Sequence, residues 1–132
     1  MAVILSCTLN TAHAQKTNNA FNWDDVIEAI IQVESNSNPK AKNGQCVGLM
    51  QISPILVKEC NLILKRRHSA KRYTLNDRYN KRKSTEMFIL IQSEYNKDNS
   101  IERAIKSWNG GIHYKDNRKV RHYYQKVMSH MS

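Results

Sequence analysis

A glutamate stands at the end of an apolar helical stripe near the start of the chain. Positions at offsets 0, 3, 4, 7 and 11 share one face of an α-helix to within about 20°, and here they are Trp23, Val26, Ile27, Ile30 and Glu34. Burial there disfavours the carboxylate and raises the pKa of Glu34, so the group can hold a proton near neutral pH. Such an acid can protonate a leaving oxygen. The alternative interpretation is a solvated glutamate at the edge of an amphipathic helix, which is the commoner case.

The residues after Glu34 favour the chemical interpretation. Residues 35–39 read Ser-Asn-Ser-Asn-Pro, a polar turn in which the proline keeps Asn38 out of the helical region. The helix is therefore expected to end just after Glu34. The carboxyl of Glu34 would then project beside a loop, and residues in such places commonly line clefts.

A second catalytic carboxylate is hard to find. Most glycosidases pair the acid with another carboxylate at about 5 to 5.5 Å or about 6.5 to 9.5 Å. Asp24 and Asp25 lie in the first turn of the Glu34 helix, where Asn22 can cap and acids suit the helix dipole. The later acids lie among polar or basic residues, and only Asp77 remains a candidate.

Four segments occur in an order and spacing that resemble the soluble lytic transglycosylase (SLT) family, the lysozyme-like enzymes that cut bacterial peptidoglycan. They are Val33-Glu34-Ser35, Asn38-Pro39, Gly48-Leu49-Met50-Gln51-Ile52 and Ala104-Ile105-Lys106-Ser107-Trp108-Asn109-Gly110-Gly111. The resemblance runs from about Trp23 to about Val127. It implies a single all-α, lysozyme-like domain with irregular loops around a glycan-binding cleft. No function is transferred to residues 75–80.

The resemblance implies a role for each matched position. Glu34 matches the single catalytic acid/base, and Ser35 matches a serine that helps to orient the carboxyl. Tyr123 falls where many members have a tyrosine close to the glutamate, with Tyr124 as the alternative. Trp108 stands in place of the usual motif tyrosine. It lacks the hydroxyl but keeps an aromatic plane for stacking on a sugar. The positions implied to bind substrate are Ser35, Met50, Gln51, Trp108, Asn109 and Tyr123.

One carboxyl suffices if the substrate supplies the nucleophile, and the resembled family works in this way. The acid protonates the glycosidic oxygen and then, as a carboxylate, helps a hydroxyl of the same sugar to close an anhydro ring. This predicts a lytic transglycosylase that needs no cofactor and no metal. Two alternatives stay open, a hydrolytic muramidase and a non-catalytic cell-wall-binding or assembly accessory protein.

The first fourteen residues are interpreted as a secretory signal peptide, followed by the enzyme domain over residues 15–132. They contain no Lys, Arg, Asp or Glu and end in Ala12-His13-Ala14. The protein is therefore expected in the periplasm or outside a bacterial cell. Export would leave Cys46 and Cys60, which could form a disulfide across the Gly48 to Gln51 motif or remain as two buried thiols.

The chain is strongly basic, with 21 Lys and Arg against 11 Asp and Glu and a net charge of +10. Nine of the basic residues lie between Lys65 and Lys83, against the single acid Asp77. Apart from peptidoglycan glycan strands, the expected partner is an anionic cell-wall or membrane surface, through non-specific attraction. Specific nucleic-acid binding is not expected, because no recognition motif accompanies the charge. Protein partners in an assembly system are left unknown.

The periodicity predicts five helices and no strand of useful length. Met87, Phe88, Ile91 and Tyr95 form a stripe that is interpreted as core. A basic loop is expected between the second and third helices. The predicted helices span residues 23–35, 54–64, 84–96, 100–108 and 117–130.

Overall fold

The computed structural model describes residues 20–131, so the predicted signal peptide at 1–14 lies outside the described residues. Five helices account for most of this part of the chain, which confirms the all-α fold. A two-stranded hairpin and one 3-10 helix lie between them. The helices are α1 (Asp24–Ser35), α2 (Pro54–Arg66), α3 (Lys81–Tyr95), α4 (Ile101–Gly110) and α5 (Arg118–Ser129); the hairpin is β1 (Lys42–Asn43) and β2 (Cys46–Val47); the 3-10 helix is Leu75–Tyr79.

Side-chain caps set the beginnings of four helices. Ser53, Asn80, Ser100 and Asn117 each accept a hydrogen bond from a backbone N–H in the first turn. The cap at Asn80 starts α3 three residues earlier than predicted. At the other end of a helix, α4 continues to Gly110 and stops at Gly111, whose φ of 85° lies outside the helical region.

The hydrophobic core takes side chains from all five helices. Trp23 packs edge-on to Phe88 at 5.6 Å between ring centroids, and Phe88 contacts Trp108 at 5.1 Å. Met87, Phe88 and Ile91 are buried as predicted. Tyr95 was wrongly assigned to the core: it is 37% exposed, and its hydroxyl donates to the carboxylate of Glu59. A polar hydroxyl at the end of a helix can stay in water at little cost, and apolar spacing alone does not reveal this.

Much of the expected basic loop is regular structure, and many of its cations lie close to acids. It contains the 3-10 helix, and six of its nine cations lie within ion-pair distance of acids. Lys81, for example, approaches Glu28 of α1 at 2.6 Å. The stretch is therefore less a free cationic surface than the sequence predicts. The paired cations are Arg66, Arg67, Lys71, Lys81, Arg82 and Lys83.

The predicted disulfide is absent, because Cys46 and Cys60 are both free thiols. Cys60 is fully buried on α2, where its Sγ lies 3.8 Å from the carbonyl oxygen of Met87. Cys46 lies in the hairpin and is partly exposed in a pocket that Glu59, and not Cys60, lines from α2. The two side chains thus belong to different environments. Burial raises the pKa of Cys60 to about 12, which makes it unreactive.

In the part of the chain that the structure describes, no helix has both the length and the apolar character needed to cross a membrane.

Candidate active site

Helix α1 ends at the residue after Glu34. Its apolar face is buried, and the chain leaves the helix through two consecutive residues in the left-handed region, Asn36 with φ 50° and Ser37 with φ 62°. The backbone N–H of Asn36 donates to the carbonyl of Gln32 at 3.0 Å and closes the last turn. This abrupt end leaves the half-buried carboxyl of Glu34 at the edge of the core, beside the following loop.

The carboxyl of Glu34 accepts a hydrogen bond from a buried tyrosine. The hydroxyl of Tyr123 lies 2.7 Å from Glu34 Oε1, and the tyrosine is only 8% exposed. Burial raises the pKa of Glu34, while the hydrogen bond from Tyr123 and the positive charge of Lys126 act in the opposite direction. Burial also raises the pKa of Tyr123, so its hydroxyl remains a donor. The net direction is upward, so burial outweighs the two neighbours that favour the carboxylate.

Helix α5 brings Tyr123, and not Tyr124, to Glu34. Tyr123 lies on the buried face of α5 with Val120 and Val127. Tyr124 is turned away, and the Nζ of Lys106 lies 5.3 Å from its ring centroid. The sequence alone left these two positions open.

The loop after β2 can form only because residue 48 is glycine. Gly48 has a φ of 81°, and a Cβ there would lie 2.0 Å from the carbonyl oxygen of Arg78. The Arg78 guanidinium in turn donates to the carbonyls of Gln45 at 2.8 Å and Ile52 at 3.2 Å, and its Nε donates to Leu75 at 2.8 Å. Through Arg78, the segment from 75 to 80 thus holds the backbone of this loop in place.

Gln51, at the end of this loop, lines the same pocket as Glu34. Its φ of 51° is left-handed, and its Nε2 donates to the carbonyls of Gly48 at 2.8 Å and Ala41 at 3.1 Å. These bonds fix the amide, and the pocket that Gln51 and Glu34 both line has a volume of about 530 Å³. A fixed amide of this kind suits recognition of an N-acetyl group.

The structure corrects the assignment of Met50 as a glycan contact. Its side chain is 1% exposed and belongs to the hydrophobic core, so it does not reach the cleft. Its carbonyl oxygen instead accepts a hydrogen bond from Trp108 Nε1 at 3.1 Å. Trp108 thereby joins the loop to α4, and it still lines a neighbouring pocket of about 370 Å³.

Asn109 carries a buried polar atom with no partner. Its Oδ1 makes no hydrogen bond to any residue of the described range 20–131. The residue lines the 370 Å³ pocket together with Gln51, and it lines a second concavity of about 290 Å³ together with Glu34. Burying an unsatisfied acceptor costs about 1–3 kcal/mol, which a donor on a bound ligand would recover.

Ser35 lies in the pocket with Glu34 but does not contact its carboxyl. The hydroxyl of Ser35 donates to the carbonyl of Ile31 at 3.1 Å, one turn earlier in α1. The orienting contact that is present comes from Tyr123.

A second carboxylate does not accompany Glu34. All eleven acids lie within residues 20–131. Of these, Glu34 alone lines the 530 Å³ and 290 Å³ pockets. Asp77 accepts a hydrogen bond from the backbone N–H of Thr74 at 2.7 Å and serves the 3-10 helix. Glu59 accepts from Tyr95 and lines the pocket that Glu34 does not reach. No cluster of His, Cys, Asp and Glu in the described residues could hold a metal ion.

Two residues of this site were missed by sequence reasoning. Arg78 shows no signal in the sequence beyond its place in a basic run, yet it is 9% exposed and holds the Gly48 loop. Lys126 places positive charge near Glu34 from α5. Its helical spacing of three residues from Tyr123 could have indicated this neighbourhood.

The chain matches a model of a known protein family. The family described as the transglycosylase SLT domain matches residues 11–130. Comparison with curated proteins and with solved structures finds no significant match.

Proposed function

The chain belongs to the transglycosylase SLT domain family, whose activity is directed at peptidoglycan, and we propose that it is a lytic transglycosylase that cuts the bond between N-acetylmuramic acid and N-acetylglucosamine. Glu34 is the single acid/base of this reaction, and the product carries an anhydromuramyl end. The protein acts after export, in the periplasm or outside the cell, and needs no cofactor.

The hydrogen bond from Tyr123 to Glu34 at 2.7 Å is the observation that carries the proposal. In the first step the protonated carboxyl of Glu34 gives its proton to the glycosidic oxygen, and the bond from that oxygen to the muramic acid carbon breaks. Burial supports this step because it raises the pKa of Glu34 and keeps the proton available.

The second step needs a carboxylate. A hydroxyl of the same muramic acid attacks the carbon from which the leaving sugar has departed, and Glu34 takes the proton of that hydroxyl. The carboxylate formed between the two steps is stabilised by the Tyr123 hydroxyl and by the charge of Lys126, which both lower the pKa of Glu34. No water is consumed, and Glu34 ends protonated as it began.

The cleft residues divide into those that contact the glycan and those that support the contacts. Gln51 and Asn109 present amide groups beside Glu34 and are proposed to hydrogen-bond the N-acetyl sugars. Trp108 offers an aromatic face in the adjoining pocket, and Ser35 offers its hydroxyl oxygen as an acceptor. Met50 contributes through its backbone, by holding Trp108.

Replacing Glu34 by Gln tests the proposal. The variant Glu34→Gln keeps the size of the side chain but cannot donate or accept the proton, so the rate of peptidoglycan cleavage should fall at least about a hundredfold. Glu28→Gln is the matched control, since Glu28 lies on the same helix with a 53% exposed side chain paired to Lys81. It should retain turnover. Near-normal cleavage by folded Glu34→Gln would remove this residue from the mechanism.

A further inference from the structure

Helix α5 carries a second, basic stripe beside its buried face. Lys119, His122, Lys126 and His130 stand at offsets 0, 3, 7 and 11, the spacing that keeps four side chains on one helical face. All four residues are exposed. We call this set the α5 basic stripe; at about 1.5 Å per residue it extends for about 17 Å.

No member of this stripe forms an ion pair within the described residues. All eleven Asp and Glu residues lie in the described range, and none of them forms an ion pair with a member of the stripe. The basic stretch from Lys65 to Lys83, in contrast, has six of its nine cations paired. Lys119 and Lys126 of α5 are therefore cations that are unpaired in this part of the chain and line concavities next to Glu34.

The stripe follows the candidate cleft on both sides of Glu34. Lys126 and His130 line the 530 Å³ pocket together with Glu34. Lys119 and His122 line the 290 Å³ pocket, again with Glu34 and Lys126. Lys119 and His122 also continue into a further concavity of about 480 Å³. A strand lying in the cleft would pass along these basic side chains.

In a peptide-bearing strand the sugars themselves carry no charge that could pair with these side chains, because the lactyl carboxyl of each muramic acid forms the amide bond to its stem. In peptidoglycan the carboxylates belong to the peptide stems, which are attached to muramic acid, the sugar at which the proposed cleavage occurs. We infer that the α5 basic stripe binds the carboxylates of the peptide stem next to the cleaved bond, and that the protein selects peptide-bearing strands over denuded ones. This inference rests on the proposed function for the position of the strand.

Binding measurements in the inactive Glu34→Gln protein test this inference without requiring turnover. The ligands are glycan fragments that carry their peptide stems and the same fragments after an amidase has removed the stems, which leaves the lactyl carboxylate as the one charge on each muramic acid. The Glu34→Gln protein should bind the peptide-bearing fragments about tenfold more tightly, because two or more partly exposed charge contacts each contribute modestly. Adding Lys119→Gln and Lys126→Gln should abolish this preference.

Lys58→Gln with Lys65→Gln is the matched control, because both residues are exposed on α2, form no ion pair in the described structure, and remove the same charge. This control should keep the preference for peptide-bearing fragments. Equal affinity of the Glu34→Gln protein for both ligands would overturn the inference, as would an equal loss in the control, which would indicate bulk attraction. Competition by a glycerol phosphate polymer as strong as that by the peptide-bearing fragments would also overturn it, since wall phosphates would then be the ligand.

The outcome is separable from that of the proposed function. Product analysis with the unmodified protein decides whether it cleaves peptidoglycan, and the binding measurement does not depend on that result. If the protein prefers peptide-bearing strands but does not cut them, the role of the α5 basic stripe is supported and the catalytic proposal is contradicted.

Discussion

Tyr123→Phe removes one oxygen atom and with it the hydrogen bond to Glu34. The ring is 8% exposed and packed in the core, so phenylalanine should preserve its contacts. A hydrogen bond to a charged group contributes about 1.5–3 kcal/mol when fully buried, and we expect about 1–2 kcal/mol here because Glu34 is half-buried. That corresponds to about a five- to thirtyfold effect on the carboxylate form of Glu34.

The sign of the pH dependence follows from the direction of the pKa shift. The pKa of folded Glu34 is raised above its ordinary value of 4.5, so the carboxyl favours folding when protonated, and this stability is lost as the pH rises from 4.5 through the folded pKa. In Tyr123→Phe the carboxylate loses a donor that lowered the pKa of Glu34. The alkaline limb of the activity profile should therefore move to higher pH, and the stability deficit of the variant should grow with pH.

The assay is denaturant unfolding at a series of pH values, together with the pH profile of cleavage. Tyr124→Phe is the matched control, since that residue is adjacent on α5 but lies against Lys106 and away from Glu34. A stability deficit that is independent of pH, or an equal shift of the limb in the control, would refute the reasoning.

Three further predictions concern the loop and the thiols. Gly48→Ala should lower the free energy of unfolding by at least about 2 kcal/mol, because φ is 81° and the new Cβ would lie 2.0 Å from the carbonyl oxygen of Arg78. The control is Gly44→Ala, where φ is 62° but the space is open, and it should lose about 1 kcal/mol in the same denaturant titration. Arg78→Leu should destabilise by about 2–4 kcal/mol, since three backbone carbonyls lose their donor, and unfolding of a variant within about 0.5 kcal/mol of the natural protein would contradict this. Alkylation of unreduced protein should label Cys46 in the folded state and Cys60 only after unfolding, as peptide mapping would report; failure of both to react after unfolding would instead restore the disulfide.

The sequence predicted the helices well because their signals are local. The stripe from Trp23 to Glu34 has the spacing of one helical face, and a polar turn follows at once, so both α1 and the position of its carboxyl could be read directly. The contact with Tyr123 spans 89 residues and was predicted only through the resemblance to a family. Periodicity could not distinguish Tyr123 from Tyr124, because they stand three and four residues after the buried Val120 and both spacings fall on one helical face.

The features that were not predicted depend on partners distant in sequence. The basic stretch was expected to be a free surface, yet Lys81 meets Glu28 across 53 positions, and such a pairing leaves no local pattern. Arg78 likewise donates to Gln45, 33 residues earlier. The motif position of Met50 suggested a contact with the glycan. Its side chain is buried instead, in a loop whose backbone carbonyl at Met50 accepts a hydrogen bond from Trp108.

Digestion of purified peptidoglycan in heavy-oxygen water, followed by mass spectrometry of the fragments, tests the central claim most directly. Transglycosylation predicts anhydromuramyl ends that contain no heavy oxygen, because a hydroxyl of the sugar replaces water, and Glu34→Gln should yield almost none of them. Reducing ends that carry heavy oxygen would contradict the account and identify a hydrolytic muramidase. Intact sacculi that retain the bound protein would also contradict it and indicate a cell-wall-binding accessory protein.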